Sequence, residues 1–254
     1  MTAAPVVVTG TGTDVGKTVA TAALAALARS TGRDAGLCKP VQTGLAPGVP
    51  GDAHEAARLS GVGRVLEVRR LPDPLAPETA ARVAGLPQST LGDLVRPIRR
   101  WLATSDAGES ATAPPLGLIE GAGGLLVRLG TGVTVLDLAV ALDAPVIVVA
   151  RAGLGTLSDT ELTVRAIESA GLWCAGIVVG SWPADPGLAE RCNVVELPRL
   201  NGVPVLGRVP EGAGALTPAA FVRRAPGWFV DGALDAALPS RGPTTSACVP
   251  TTTR

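Results

Sequence analysis

Short runs rich in Val, Ile and Leu alternate along the chain with longer Ala/Leu-rich stretches whose apolar residues recur at helical spacing. The runs at residues 5–9, 34–38, 116–120, 144–150, 174–180 and 204–207 predict strands. Most are continuously apolar rather than alternating, which predicts central strands covered on both faces. The intervening periodic stretches predict helices over 17–29, 53–60, 77–84, 91–101, 135–142, 157–170, 188–197 and 231–238. Strands and helices in this alternation predict an α/β fold, a doubly wound and mainly parallel sheet with helices on both faces. The Ala/Ser/Thr/Gly/Pro-rich stretch 103–115 reads as a mobile surface loop, and residues 239–254, which lack any core-forming period, read as a disordered tail. That leaves one domain over residues 1–238 and no internal repeat.

Composition narrows the class. A chain of 254 residues has core volume for one large α/β domain. Lys plus Arg and Asp plus Glu both number 22, so no overall field steers the protein toward nucleic acid or an anionic membrane. No apolar run approaches the roughly 20 residues that cross a bilayer, and no basic segment followed by an apolar one opens the chain. The expectation is a soluble, cytoplasmic protein. Cys38, Cys174, Cys192 and Cys248 are widely spaced with no Cys-x-x-Cys pair, which fits reduced thiols and argues against a zinc site. With no tyrosine and two phenylalanines, the core must be aliphatic, and the scattered Trp101, Trp173, Trp182 and Trp228 read as packing or surface residues.

Lysine usage singles out the chemistry. The chain has two lysines, Lys17 and Lys39, against twenty arginines. A compact ammonium on a flexible stem can follow an anion along a reaction path, whereas guanidinium is a rigid planar fork. Lys17 lies in Gly10-Thr-Gly-Thr-Asp-Val-Gly-Lys-Thr18, between a predicted buried strand and an Ala-rich helix. That is the strand, phosphate loop, helix order of a nucleotide site, one residue longer than Gly-x-x-x-x-Gly-Lys-Thr. Its glycines let backbone N–H groups approach an anion, the helix N-terminus adds partial positive charge, Lys17 reaches toward the β and γ phosphates, and Thr18 offers its hydroxyl to Mg²⁺. The bland alternative is a glycine-rich turn with an incidental lysine.

Gly117-Leu-Ile-Glu-Gly-Ala-Gly-Gly124 places Glu120 at the carboxyl end of a predicted buried strand, where α/β sheets carry ligands. A carboxylate there is costly without a cation, so Glu120 is a candidate Mg²⁺ ligand. Asp52 precedes a predicted helix and is open to two readings, a second metal carboxylate or a helix N-cap. Thr43, near Gly44, could contact substrate or cap a turn. His54 is given no role.

Taken together, residues 9–18, Cys38-Lys-Pro-Val-Gln-Thr-Gly44 and Glu120-Gly-Ala-Gly-Gly124 resemble the dethiobiotin synthetases over about residues 5–215. The resemblance implies a P-loop ATPase core acting as a homodimer, with ATP as co-substrate and Mg²⁺. It implies that 7,8-diaminopelargonate and CO₂ are joined through a carbamate and a carbamic-phosphoric anhydride to give dethiobiotin, ADP and phosphate. Lys17 and Lys39 are then catalytic and Thr43 binds substrate. Asp14, Val15, Gly16, Lys17, Thr18 and Val19 hold the phosphates, and Gly121, Ala122 and Gly123 flank Glu120 beside the nucleotide. The base lies against Gly180-Ser181 and Pro210-Glu211-Gly212, while Thr18, Asp52 and Glu120 hold the metal. Gly155-Thr-Leu-Ser158 opens a helix toward the substrate carboxylate, although Ser158-Asp159 stands where many members of the family have Asn-His.

The rival reading is a partitioning-type P-loop ATPase acting as a regulatory switch. That class carries a further lysine four residues before Gly16, where this chain has Gly12. A guanine-nucleotide switch needs an Asn-Lys-x-Asp base reader, for which no lysine is left. A cobyrinate-type amide ligase needs a glutaminase domain that this length does not accommodate.

Overall fold

The computed structural model describes residues 2–104 and 113–238. Seven strands form one parallel sheet: β1 Ala4–Gly10, β2 Ala35–Thr43, β3 Arg64–Leu71, β4 Leu116–Gly124, β7 Val146–Ala150, β8 Cys174–Trp182 and β9 Val205–Pro210, in the order β3-β2-β4-β1-β7-β8-β9. Two short strands, β5 Arg128–Gly130 and β6 Val133–Thr134, form an antiparallel ribbon beyond β4. The order reverses direction at β1. A crevice therefore opens at the carboxyl ends of β1 and β4, the place where open α/β sheets bind ligands.

The pleat of the sheet sorts its residues into two cores. Val6 and Val8 of β1, Leu116 and Leu118 of β4, and Ile147 and Val149 of β7 face α1 Lys17–Ser30, α2 Asp52–Ser60 and α8 Pro218–Arg224. Val7, Ile119, Val146 and Val148 face the other way, against α3 Pro77–Val83, α4 Leu91–Ala103, α5 Val135–Leu142, α6 Thr156–Ser169 and α7 Leu188–Asn201. A short α9, Ala233–Ala237, closes the described chain on the α1 side.

The predicted elements hold their places, with instructive differences at their edges. Strand β3 had no counterpart, because Arg-Val-Leu-Glu-Val-Arg-Arg-Leu mixes charged and apolar residues without strict alternation on a half-buried edge strand and is nowhere continuously apolar for long. Strand β2 continues past Cys38 through Pro40 to Thr43, where pairing to β4 has ended and β3 alone guides it. Strand β4 continues past Glu120 to Gly124 with an irregularity in its register to β1. Helix α7 runs through Pro198 to Asn201, and the short α8 went unpredicted. The loop reading of 103–115 falls largely, and the tail reading of 239–254 wholly, outside the described residues.

Helix α1 carries the phosphate loop into the core. Ala20, Ala22, Ala23, Leu24, Ala25, Ala26 and Ala28 are all fully buried, and the sheet, α2 and the 3₁₀ turn Ala225–Trp228 surround the helix. A helix that is apolar nearly all round is an interior one, and small side chains let its neighbours approach closely. Replacing Ala23 with Leu is therefore expected to cost about 1–3 kcal/mol through overpacking, read as a lowered midpoint in urea unfolding.

Candidate active site

The turn after β1 is fixed from behind. Gly16 has φ 91°, and a side chain there would put its Cβ 2.4 Å from the Gly180 carbonyl oxygen; a Cβ at Gly180 would in turn come within 2.0 Å of the Val15 oxygen. Backbone therefore packs directly on backbone between the loop and β8, an approach that two glycines permit. Thr11 N–H donates to Val149 of β7 at 3.0 Å, which ties down the other flank. Lys17, the first residue of α1, curls back so that Nζ donates to the Gly12 carbonyl at 2.7 Å. Its pKa is lowered by burial and by the neighbouring Lys39, against the opposing pull of Glu120, Asp52 and Asp14.

Lys39 is the centre of the site. It is 3% exposed, and its Nζ lies 2.6 Å from Asp52 Oδ2 and 2.8 Å from Glu120 Oε1, and donates to the Gly121 carbonyl at 3.0 Å. Burial alone would drive the proton off, but the charges of Glu120 and Asp52 and the hydrogen bonds to both outweigh it, and the pKa of Lys39 is raised. Thr18 Oγ1 donates to the same Glu120 Oε1 at 3.0 Å. Glu120 Oε2 is buried with no hydrogen-bond partner, an acceptor left free to meet a cation. Among the described residues no group of three or more His, Cys, Asp or Glu is placed to hold a metal ion. Two carboxylates and a hydroxyl do match the chemistry of Mg²⁺, which takes few protein ligands and completes its shell with water and phosphate oxygens.

Asp52 is not an N-cap. Gly51 caps α2 without a side chain, and Asp52 is the first helical residue, its carboxylate turned to Lys39. A cavity of about 720 Å³ opens in front of these groups. Asp14, Gly16, Lys17, Thr18, Val19, Lys39, Thr43, Asp52, Glu120, Ala122 and Gly123 line it. Val15 is buried behind the loop and Gly121 contributes its carbonyl to Lys39. Ser181, Pro210, Glu211 and Gly212 lie apart from this cavity at the carboxyl ends of β8 and β9, where Glu211 N–H donates to the Trp182 carbonyl at 2.8 Å.

Sequence reasoning passed over Gln42, Val41, Val127 and the segment Pro74-Leu-Ala-Pro77, which complete the cavity with a polar contact to the Asp52 backbone and an apolar wall. Gln42 stood out in principle as an amide in a strand that is otherwise apolar but for Lys39 and Thr43. The apolar wall had no local signal, because it is built by the turn between the unpredicted β3 and α3. Cys38, next to Lys39, is fully buried and its thiol is pushed up by burial in spite of the adjacent ammonium, which makes it a packing residue rather than a nucleophile. Asp159 lies outside the cavity, lining a separate groove with Leu126 and Leu162.

Comparison with known proteins agrees with this geometry. A family model described as an AAA domain matches residues 5–218. The ATP-dependent dethiobiotin synthetase BioD of Rhodococcus jostii (strain RHA1) is 59% identical over 88% of this chain and 93% of its own length. That of Streptomyces coelicolor is 53% identical over 91% and 94%. Among solved structures, chloroplast FtsY from Physcomitrella patens aligns with a TM-score of 0.52 at 17% identity, covering 89% of this chain and 66% of its own. The signal recognition particle 54 kDa protein from Aeropyrum pernix K1, in complex with GDP, gives 0.53 at 16% over 89% and 47%. Those two share the fold alone. With the phosphate loop, the buried Lys39 and the Glu120 turn in place, and with such identity along nearly the whole length, this chain belongs to the ATP-dependent dethiobiotin synthetase family.

Proposed function

We propose that this protein makes dethiobiotin from 7,8-diaminopelargonate, CO₂ and ATP, with the cavity in front of Lys39 as the place of reaction. The observation that carries this reading is a buried ammonium held by two carboxylates beside a phosphate loop. One amine of the diamine adds to CO₂ and loses a proton, giving a carbamate. A carbamate oxygen then attacks the γ phosphorus, ADP departs, and a carbamic-phosphoric anhydride results. The second amine attacks the carbamoyl carbon and phosphate leaves, which closes the ureido ring.

The difficulty is the meeting of two anions. Lys17 reaches from its perch on Gly12 to the β and γ phosphates, and Lys39 pairs with the carbamate and the transferred phosphoryl group. Mg²⁺, held by Thr18, Glu120 and Asp52, would neutralise phosphate charge. Thr43 at the end of β2 hydrogen-bonds the carbamate or an amine. The wall formed by Val41, Pro74, Leu75 and Val127 takes the aliphatic chain of the substrate. Gly180-Ser181 and Pro210-Glu211-Gly212 receive the base. We further infer a cytoplasmic location and a homodimer, the dimer supported by Leu126 and Leu162, which stay 61% and 67% exposed along one groove.

Phosphate release from MgATP and bicarbonate, measured with and without 7,8-diaminopelargonate while dethiobiotin is followed by mass, tests the reaction. Diamine-dependent release matched one-to-one by dethiobiotin is expected; hydrolysis indifferent to the diamine would point to a nucleotide switch. Replacing Lys39 with Arg preserves charge but not the compact geometry, so kcat should fall by about 10²-fold or more while the variant still folds. Near-native turnover would remove the role given to Lys39. Because burial lowers the pKa of Lys17, it gives up its proton below the ordinary lysine range. ADP affinity followed by calorimetry should accordingly begin to weaken at a pH below the ordinary lysine range, whereas a profile flat up to that range would detach Lys17 from the phosphates.

A further inference from the structure

We propose that Arg70 is a positioning residue for the Asp52 carboxylate, acting from the sheet edge through the loop that precedes α2. The inference rests on the reading of Asp52 as a partner of Lys39 and of the metal. Arg70 lies on β3, and its Nε and Nη2 form a two-pronged pair with Glu67, each contact at 2.7 Å. Its remaining Nη1 donates to two loop carbonyls, Ala46 at 3.0 Å and Val49 at 2.6 Å. The guanidinium thus joins the strand to residues 46–49, a Pro- and Gly-rich stretch with no regular structure of its own.

The end of that loop is held as closely. Gln42, 4% exposed, accepts the Asp52 N–H through Oε1 at 2.8 Å and donates through Nε2 to the Thr43 carbonyl at 3.0 Å. Gly51 passes over both groups. A Cβ there would stand 2.6 Å from Glu67 Oε2, 2.7 Å from Gln42 Oε1 and 3.1 Å from Arg70 Nη2. The chain enters α2 with no room to shift toward the sheet, and the next side chain, Asp52, reaches Lys39 at 2.6 Å. The Asp52 carboxylate is itself 36% exposed, so its placement depends on this backbone anchoring more than on packing around the carboxylate. A planar fork that satisfies a carboxylate and two carbonyls at once is a task for arginine.

The test is a double-mutant cycle on the full chain with Arg70→Ala, Asp52→Asn and the combined variant. It is read in two ways: retention of Mn²⁺ by the ADP complex, followed by electron paramagnetic resonance, and the split of kcat from KM for the diamine. Arg70→Ala should weaken Mn²⁺ retention about tenfold and lower kcat comparably with KM unchanged, the size of effect typical of groups that orient a metal ligand. The combined variant should be no worse than Asp52→Asn alone, because Arg70 then has nothing left to place. Additive losses, or an Arg70→Ala protein that matches the parent, would overturn the proposal. Should Arg70→Ala fail to fold, Glu67→Gln, which loosens the same guanidinium, replaces it in the cycle with the same outcomes. The Mn²⁺ cycle stands apart from turnover: absence of diamine-dependent activity in the parent would sink the synthetase reading, while additivity in Mn²⁺ retention would sink the positioning role.

Discussion

A buried ammonium has to be answered by negative charge at fixed positions, and the organisation of the site follows from meeting that requirement at Lys39. Taking an ammonium out of water costs several kcal/mol, and a single poorly placed carboxylate does not recover it. Here three elements converge on one nitrogen: β2 supplies the lysine, β4 supplies Glu120 and the Gly121 carbonyl, and the first turn of α2 supplies Asp52. Strand β2 must run past Pro40 to hold the Lys39 backbone, and β4 must keep its glycines in the sheet for a carbonyl to come within hydrogen-bonding distance. The loop before α2 must be anchored for Asp52 to arrive at 2.6 Å. Fold and chemistry meet here because each of these backbone demands is also a demand of the site.

The phosphate loop sets a second constraint from the opposite side. Its closing turn lies on the backbone of β8, and the helix it opens is buried through its own alanines against the sheet, α2 and the 3₁₀ turn Ala225–Trp228. Close packing of small residues keeps α1 from shifting along its axis, which fixes where the first N–H groups and Lys17 point. Interiors packed to this density transmit displacement instead of absorbing it. The large share of alanine in α1 thus bears on anion placement as well as on stability.

Much of this was legible in the chain, and the exceptions have physical reasons. Apolar runs exposed all five strands at the centre of the sheet, where burial on both faces leaves an unbroken record, and the one at its far edge. Arg64–Leu71 left none, because half of an edge strand faces charged partners and its pattern resembles a polar segment. That omission hid more than a strand: Glu67, Arg70 and the turn leading to Pro74 and Pro77 came with it. Lys17, Lys39, Thr18 and Glu120 were identifiable by residue type and spacing, Asp52 was singled out as a site residue by the resemblance, and all five line one cavity. Asp52 was ambiguous because an acid before a helix is a common cap; the structure makes Gly51 the cap and sets Asp52 against Lys39, 13 positions earlier in the chain. Of the groups assigned to the base, Gly180 packs on the phosphate loop, while Ser181, Pro210, Glu211 and Gly212 do not line the cavity, and only the resemblance pointed to them.

Charge at the cavity explains why the backbone carries so much of the task. The ionisable side chains along its wall are Lys17 and Lys39 against Asp14, Asp52 and Glu120, two ammoniums facing three carboxylates. Side chains alone therefore offer a triphosphate no net attraction. The favourable field must come from the N–H groups of the glycine-rich turn and the N-terminus of α1, and in the proposed reaction a divalent cation on the acidic side would supplement it. In the proposed reaction such an arrangement would discriminate: an anion without a metal would meet surplus carboxylate, while one that brings its own cation would complete the site. Lys39 then has a place in time as well as in space. Lys39 is held by Asp52 and Glu120; in the proposed reaction those two carboxylates would also hold Mg²⁺, and the ammonium would exchange them for the reacting oxygens. A guanidinium, committed to several fixed hydrogen bonds at once, would make that exchange of partners poorly.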